Sequence, residues 1–235
     1  MRPINKGVVP ADKDGNSVEF KKYQESRGFL IDRIGSYCSY CERPLAGNTA
    51  VEHVQPKSKH PNLELKWSNF LLACINCNSI KGHRDIDLNQ YFWPDKDNTL
   101  LAVQYNEGAM ISPNSNLTQD KQNIAKNTIA LTGLDRVPSP DPHINPEMTD
   151  TRWRERYDAL NTAEEAKESL SNTDNEWMRK IIVRLAVATG FFSIWLKVFS
   201  YDKNMILRFL DAFPGTTKDC FNAEGVPVKR NGGTI

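Results

Sequence analysis

Two Cys-x-x-Cys pairs, Cys38/Cys41 and Cys74/Cys77, are separated by 32 residues in a chain of 235, and no other feature restricts its fold as strongly. Four thiolates suit a tetrahedral zinc ion, and each pair delivers two of them from one turn of backbone. The interval exceeds the roughly 15 to 20 residues usual between such pairs in a zinc ribbon. Something is therefore built between them. A redox dithiol is disfavoured because nothing places either pair at a thioredoxin-like helix start, and the lone Cys220 reads as a buried thiol.

Composition sets the class. With 39% hydrophobic and 25% charged residues, the chain reads as an ordinary globular protein long enough to bury a core. The net charge of +1 implies no partner by itself, but its distribution is uneven. Residues 1–84 carry 13 Lys+Arg against 8 Asp+Glu, residues 85–149 carry 4 against 9, and residues 150–235 carry 13 against 12. Positive charge travels with the cysteine-rich stretch. The opening MRPINKGVVPADKDG has no apolar core of signal-peptide length. Leu185 to Leu196, the most hydrophobic run, is too short to span a bilayer. A cytoplasmic protein without membrane attachment is expected, and in a reducing compartment cysteines at this spacing are metal ligands rather than disulfides.

Between the pairs, residues 48–54 (Asn48 to Val54) suggest a short strand, with apolar Val51 and Val54 among β-branched neighbours. A basic loop follows, Pro56-Lys57-Ser58-Lys59-His60-Pro61. A second apolar run, Phe70 to Ala73, leads into Cys74, and Asn78 to Gly82 can start a short helix. Strand, loop, strand and helix would make a small ββα unit with Glu52, His53, Asn69 and Asn78 on one side. A unit this small has little core of its own, so the metal would drive its folding.

These residues carry a family resemblance. Glu-His in a strand, Asn69 sixteen residues after His53, and Asn78 nine further on inside Cys-x-x-Cys-Asn-x-x-Lys resemble the HNH endonucleases of the zinc-ribbon subgroup, with their ββα-metal fold. The resemblance implies that His53 is the general base activating water. It implies that Glu52 and Asn78 hold a catalytic divalent cation, and that Asn69 ties the loop across the motif. Lys81, and more loosely Lys57 and Lys59, would contact phosphate. Many members have Asp or His in place of Glu52 and a final His in place of Asn78. Glu and Asn favour Mg2+ or Mn2+ over a tightly held zinc. His83 is a further possible ligand, and His60 reads as a solvated loop residue.

Elsewhere the pattern is structural. A helix is expected from Ser17, as its N-cap, to Gly35, with a break possible at Gly28. Tyr91, Phe92 and Trp93 read as an anchor for the chain leaving the ββα unit. Leu100–Tyr105 and Ala109–Ile111 read as a hairpin, and Thr118 begins a helix ending before Gly133. Residues 137–147 hold four prolines, which no helix can traverse.

The predicted fold class is therefore α+β: a ββα-metal core with a four-cysteine zinc site, plus a mostly helical C-terminal region. The division is residues 1–136 (N-terminal helix and nuclease domain), a Pro-rich linker 137–148, and a helical region 149–235. Three helices are expected there, Asp150–Ser171, Asp174–Phe199 and Lys203–Phe213. They either pack wholly on one another and on the nuclease unit, or leave the aromatic girth around Phe192 and Trp195 for another protein to cover.

Over its whole length, the MRPINKG opening, the RIGSYCSYCE approach to the cysteines and the closing FPGTTKDCF resemble the PtuB-type HNH nucleases of Septu and retron-associated antiphage systems. That resemblance implies a complex with an ATPase of the PtuA type, residues 149–213 being the docking surface, and nucleic acid, DNA in the first instance, as substrate. The other reading is a zinc-stabilised nucleic-acid-binding or scaffold subunit without catalysis of its own.

Overall fold

The computed structural model describes residues 1–45, 47 and 49–235. Its first helix begins later than the sequence suggests. Asp12 accepts hydrogen bonds on its side chain from the backbone N–H of Asp14 and Asn16, both at 2.9 Å, and Ala11 pairs with Ser17 in a β-bridge. This local Asx-type turn competes with helix, so Ser17 is no N-cap. A 3-10 turn, Tyr23–Glu25, precedes helix α1, Ser26–Ile34. Ser26, Leu30 and Ile34 form its buried stripe, Gly28 does not break it, and Gly35 ends it at φ 74°.

Two short antiparallel strands follow, β1 (Ala50–His53) and β2 (Phe70–Ala73), in register Ala50↔Ala73 to His53↔Phe70. The expected opening of the first strand at Asn48 lies outside the described residues. Alternation places Val51 and His53 on one face and Glu52 on the other. Every residue of β2 is buried, with α1 against it. Helix α2 runs Ile75–Lys81. It starts three residues earlier than predicted because Cys74 is its N-cap, the thiol sulfur accepting from Cys77 N–H at 3.4 Å. The ββα unit is thus present, and the second cysteine pair opens its helix, which corrects the expectation that neither pair stands at a helix start.

The predicted anchor is seen beyond it: Phe92 and Trp93 are buried, and the indole N–H of Trp93 donates to Leu88 O at 3.0 Å. The predicted hairpin is shorter than expected. Asn98 caps a helical turn, α3 (Thr99–Ala102), so only β3 (Val103–Tyr105) remains extended to pair with β4 (Ile111–Pro113). Helix α4, Gln119–Thr132, ends at Gly133 in the left-handed region.

Four helices follow the proline-rich stretch: α5 (Arg152–Asn172), α6 (Glu176–Thr189), α7 (Phe192–Val198) and α8 (Lys203–Ala212). The single helix expected over residues 174–199 is broken at Gly190 and Phe191, both at positive φ. Gly190 lies against the first cysteine turn, where a Cβ would stand 2.8 Å from Glu42 O and from Pro44 Cδ. Phe191 N–H donates to that same carbonyl at 3.0 Å. The break lets α7 turn inward, and Phe192 and Trp195 are 1% and 0% exposed. The suggestion that their aromatic girth awaits another protein is therefore corrected: the chain covers these residues itself. The C-terminal stretch returns to the start of the chain, Thr216 pairing with Ile4. Among the described residues, no helix is long and apolar enough to cross a membrane.

The two glycines make opposite predictions. Gly28 is exposed, and a Cβ added there would meet nothing within 4 Å, so Gly28→Ala should stabilise by about 0.5–1 kcal/mol in urea titration. Gly190→Ala should destabilise by on the order of 2 kcal/mol or more, since it adds left-handed strain to a backbone clash.

Candidate active site

Four sulfurs come first. Cys38 and Cys41 lie on a tight turn, where Glu42 N–H donates to Cys38 O at 2.9 Å and Cys38 N–H to Arg43 O at 3.0 Å. Glu42 occupies the left-handed region at φ 67°. The turn docks on β2 through Ser39 N–H to Leu72 O, 2.8 Å. Opposite it stand Cys74 and Cys77. All four are buried, their sulfurs lie within 4.8 Å of one another, and Cys41 Sγ is 3.7 Å from Cys74 Sγ. A zinc–sulfur distance of about 2.3 Å gives a tetrahedron with edges of roughly 3.8 Å. The cluster fits and could hold zinc. Burial pushes the Cys41 and Cys77 thiols up, while hydrogen bonds from Cys38, Cys41 and Cys77 pull Cys74 down. A cation entering the cluster must therefore displace protons.

Groups from outside the motif close around these sulfurs. Arg152, the first residue of α5 and 3% exposed, donates to Cys77 Sγ at 3.0 Å, to Thr132 O at 2.8 Å and to Asp150 at 2.7 and 2.8 Å. Four thiolates around a dication leave two negative charges, and this guanidinium offsets part of them. Glu42 accepts from Ser193 N–H at 2.9 Å and Ser193 Oγ at 2.5 Å, holding α7. Arg43 pairs with Glu155 of α5.

The cluster connects to the strand through a buried carboxylate. Glu52 is 1% exposed. Its Oε2 accepts from the Tyr40 hydroxyl at 3.0 Å, and its Oε1 pairs with Lys81 Nζ at 2.7 Å. Lys81, 2% exposed, also donates to His53 O at 2.8 Å. Tyr40 sits inside the first cysteine pair and Lys81 four residues past Cys77, so each pair sends one donor to the same carboxylate. Burial, with the Glu52 charge beside it, pushes the Tyr40 phenol well up and keeps it a donor. In this arrangement Lys81 faces inward and does not reach a phosphate at the surface. A cation held by Glu52 does not fit either, because an ammonium already occupies the position beside Oε1.

His53 ends β1 and is half-buried. Its Nε2 lies 2.9 Å from Glu64 O, and since a carbonyl only accepts, Nε2 carries the proton and Nδ1 is left as the basic nitrogen. Burial lowers its pKa below the ordinary imidazole value, outweighing the Glu64 carbonyl and the Glu52 charge, which raise it. The ring meets Phe70 and Tyr23 edge-on, with centroids 5.3 and 4.8 Å away. Asn69, 5% exposed, spans the loop beyond: its Oδ1 accepts from Gln55 N–H at 2.7 Å, and its Nδ2 donates to Gln55 O at 2.9 Å and Leu63 O at 3.2 Å.

A cleft of about 440 Å3 opens over these groups. Tyr23, Glu52, His53, Lys57, Asn78 and His83 are among the residues that line it. Asn78 and His83 are exposed on it, Asn78 from α2 and His83 just past that helix. Lys57 reaches it, whereas Lys59 is exposed on the loop without lining it. His60 pairs with Asp85 at 2.8 Å. Sequence reasoning missed Tyr40, Arg152 and Tyr23. Tyr40 carries a signal in its place between two cysteines. The others come from elements distant in sequence and carry none.

Replacing Cys74 by Ser should abolish binding of one metal ion per chain in metal analysis and lower the melting temperature by about ten degrees or more, as for loss of a structural ion. Arg152→Met should keep the ion but release it at least several-fold faster to a chelator.

Comparison with known proteins supports the same stretch. Residues 38–84 match the HNH endonuclease family. A Septu protein PtuB from Bacillus thuringiensis is 38% identical over 76 residues, 31% of this chain. The match spans 29% of that protein's length. The likeness to HNH endonucleases therefore rests on residues 38–84, the stretch that carries the four cysteines, both strands and α2.

Proposed function

We propose that the chain is a metal-dependent endonuclease that hydrolyses phosphodiester bonds of nucleic acid, DNA in the first instance, with His53 as general base. The observation that carries this reading is the state of His53: Nε2 anchored on Glu64 O, Nδ1 left basic, and the ring bordering a cleft that also holds Asn78, His83 and Lys57. A neutral imidazole can take a proton from water as it attacks phosphorus. Lys57, 43% exposed at the rim, supplies positive charge for the phosphate backbone, and the excess of Lys and Arg over residues 1–84 agrees with a polyanionic substrate.

Zinc is the proposed ion of the four-cysteine cluster, in a structural role. Mg2+ or Mn2+ is the proposed cofactor of cleavage. Of the ligands expected from sequence, Asn78 is exposed to the cleft, while Glu52 is engaged by Lys81 and Tyr40. In this reading Glu52 braces the strand that carries His53. The buried Glu52–Lys81 pair also favours the alternative, a zinc-framed nucleic-acid-binding or scaffold subunit.

Cleavage separates the two. The wild-type protein should cut DNA with Mg2+ or Mn2+, and His53→Ala should lose about 10²- to 10⁴-fold in single-turnover rate. The reactive form is unprotonated, so the rate should rise with pH and level off by pH 7, its midpoint below the ordinary imidazole value of about 6.5. An inert wild-type protein, alone and with its partner, would leave the binding-subunit reading.

The likeness to a PtuB protein supports a further assignment: a nuclease effector of a Septu-type antiphage system, working with an ATPase of the PtuA type. Because α7 is buried, the docking surface is proposed on α6 instead, where Trp177 and Ile181 lie one turn apart, 58% and 37% exposed. Trp177→Asp should abolish co-purification with the ATPase while leaving the melting temperature within a few degrees.

A further inference from the structure

The contacts of His53 close into a ring that includes a residue outside the HNH domain. Tyr23 stands on the 3-10 turn Tyr23–Glu25, well before residue 38, and lines the cleft. Its ring meets the imidazole edge-on at 4.8 Å and 71°. Lys57 Nζ lies 4.5 Å from the Tyr23 centroid and 3.2 Å from Glu64 Oε1. The backbone carbonyl of that same Glu64 meets His53 Nε2 at 2.9 Å. The circuit therefore runs His53, Tyr23, Lys57, Glu64 and back to His53.

These contacts differ in firmness. The Glu64 carbonyl belongs to a surface loop, and the ion pair that steadies it joins side chains 43% and 42% exposed, which water and salt screen. Tyr23 is seated more firmly, because its carbonyl accepts Ser26 Oγ at 2.6 Å and Ser26 is fully buried at the start of α1. Phe70, 0% exposed, supports the imidazole from the core. Tyr23 meets it from the cleft, where a swinging imidazole would otherwise move. Among the described residues the Tyr23 hydroxyl has no hydrogen-bond partner, so the contact is made by the ring.

We infer that Tyr23 is a positioning residue for the general base: its ring holds the His53 imidazole between itself and Phe70 with Nδ1 aimed into the cleft, and it seats Lys57 at the rim. This inference rests on the nuclease reading of His53. It assigns an active-site role to the segment before the HNH domain.

The test uses the full-length protein and a DNA substrate with Mg2+ or Mn2+. Tyr23→Ala should lower kcat by roughly ten- to a hundredfold, the scale expected when a reacting group is misplaced by about an ångström, with KM changed by about twofold or less. Tyr23→Phe, which keeps the ring, should restore most of that loss. A normal kcat in Tyr23→Ala overturns the inference. So does a Tyr23→Phe defect as large as that of Tyr23→Ala, which would make the hydroxyl the acting group. A raised KM at unchanged kcat also overturns it, since Tyr23 would then be a nucleic-acid contact. If Tyr23→Ala does not fold, Tyr23→Leu serves as the ringless variant.

A second readout needs no activity. In carbon-correlated NMR spectra the His53 ring signals should shift and broaden in the ringless variant and return in Tyr23→Phe. Unchanged His53 signals overturn the inference even if the wild-type protein cleaves. A wild-type protein that does not cleave, with His53 signals that respond as stated, overturns the nuclease reading and leaves the packing role standing.

Discussion

Four sulfurs within 4.8 Å of one another are the constraint on which the rest of the chain depends. The ββα unit has two four-residue strands between the pairs and a seven-residue helix that the second pair opens, too little to hold itself together by burial alone. Loop-closure entropy opposes bringing Cys38 and Cys74 together across so many residues, and an ion held by the four sulfurs would offset that cost. Distant parts of the chain then use the cluster as their meeting point. Arg152 brings α5 to Cys77, and Glu42, one residue past Cys41, holds α7 through Ser193. The glycine at 190 exists because two backbones approach there more closely than a side chain allows.

From that frame the cleft is built by a short relay. Tyr40 and Lys81, one from each cysteine pair, converge on Glu52, and the next residue on the strand is His53. A buried ion pair adds little net stability, but breaking it leaves an uncompensated charge costing about 3–5 kcal/mol. Its value here is geometric: it fixes which face of β1 points inward and so which face His53 presents. Asn69 then closes the loop whose backbone carbonyl meets Nε2.

How much of this was legible in the sequence follows from the range of the interactions. The cysteine pairs, the two strands and α4 announce themselves through spacing, alternation and a terminal glycine, all local signals. The false start of α1 at Ser17 was also a local matter, an aspartate turn competing with a helix period. What stayed hidden is long-range. Lys81 looks like a phosphate contact until Glu52 is found 2.7 Å away in the interior. Phe192 and Trp195 look like an interface until the break at Gly190 turns them inward. Arg152 and Tyr23 reach the sites from segments that no spacing rule connects to residues 38–84.

The central claim is that one metal cluster holds both the cleft and the start of the helical layer. Amide hydrogen exchange before and after stripping the metal with a chelator tests it most directly. The account predicts that residues 50–53, 70–73, 75–81 and the first turn of α5 lose protection together, while α6 and α8 keep theirs. If the cleft strands and α2 keep full protection after the metal has gone, the cysteines do not frame the site and the account is wrong.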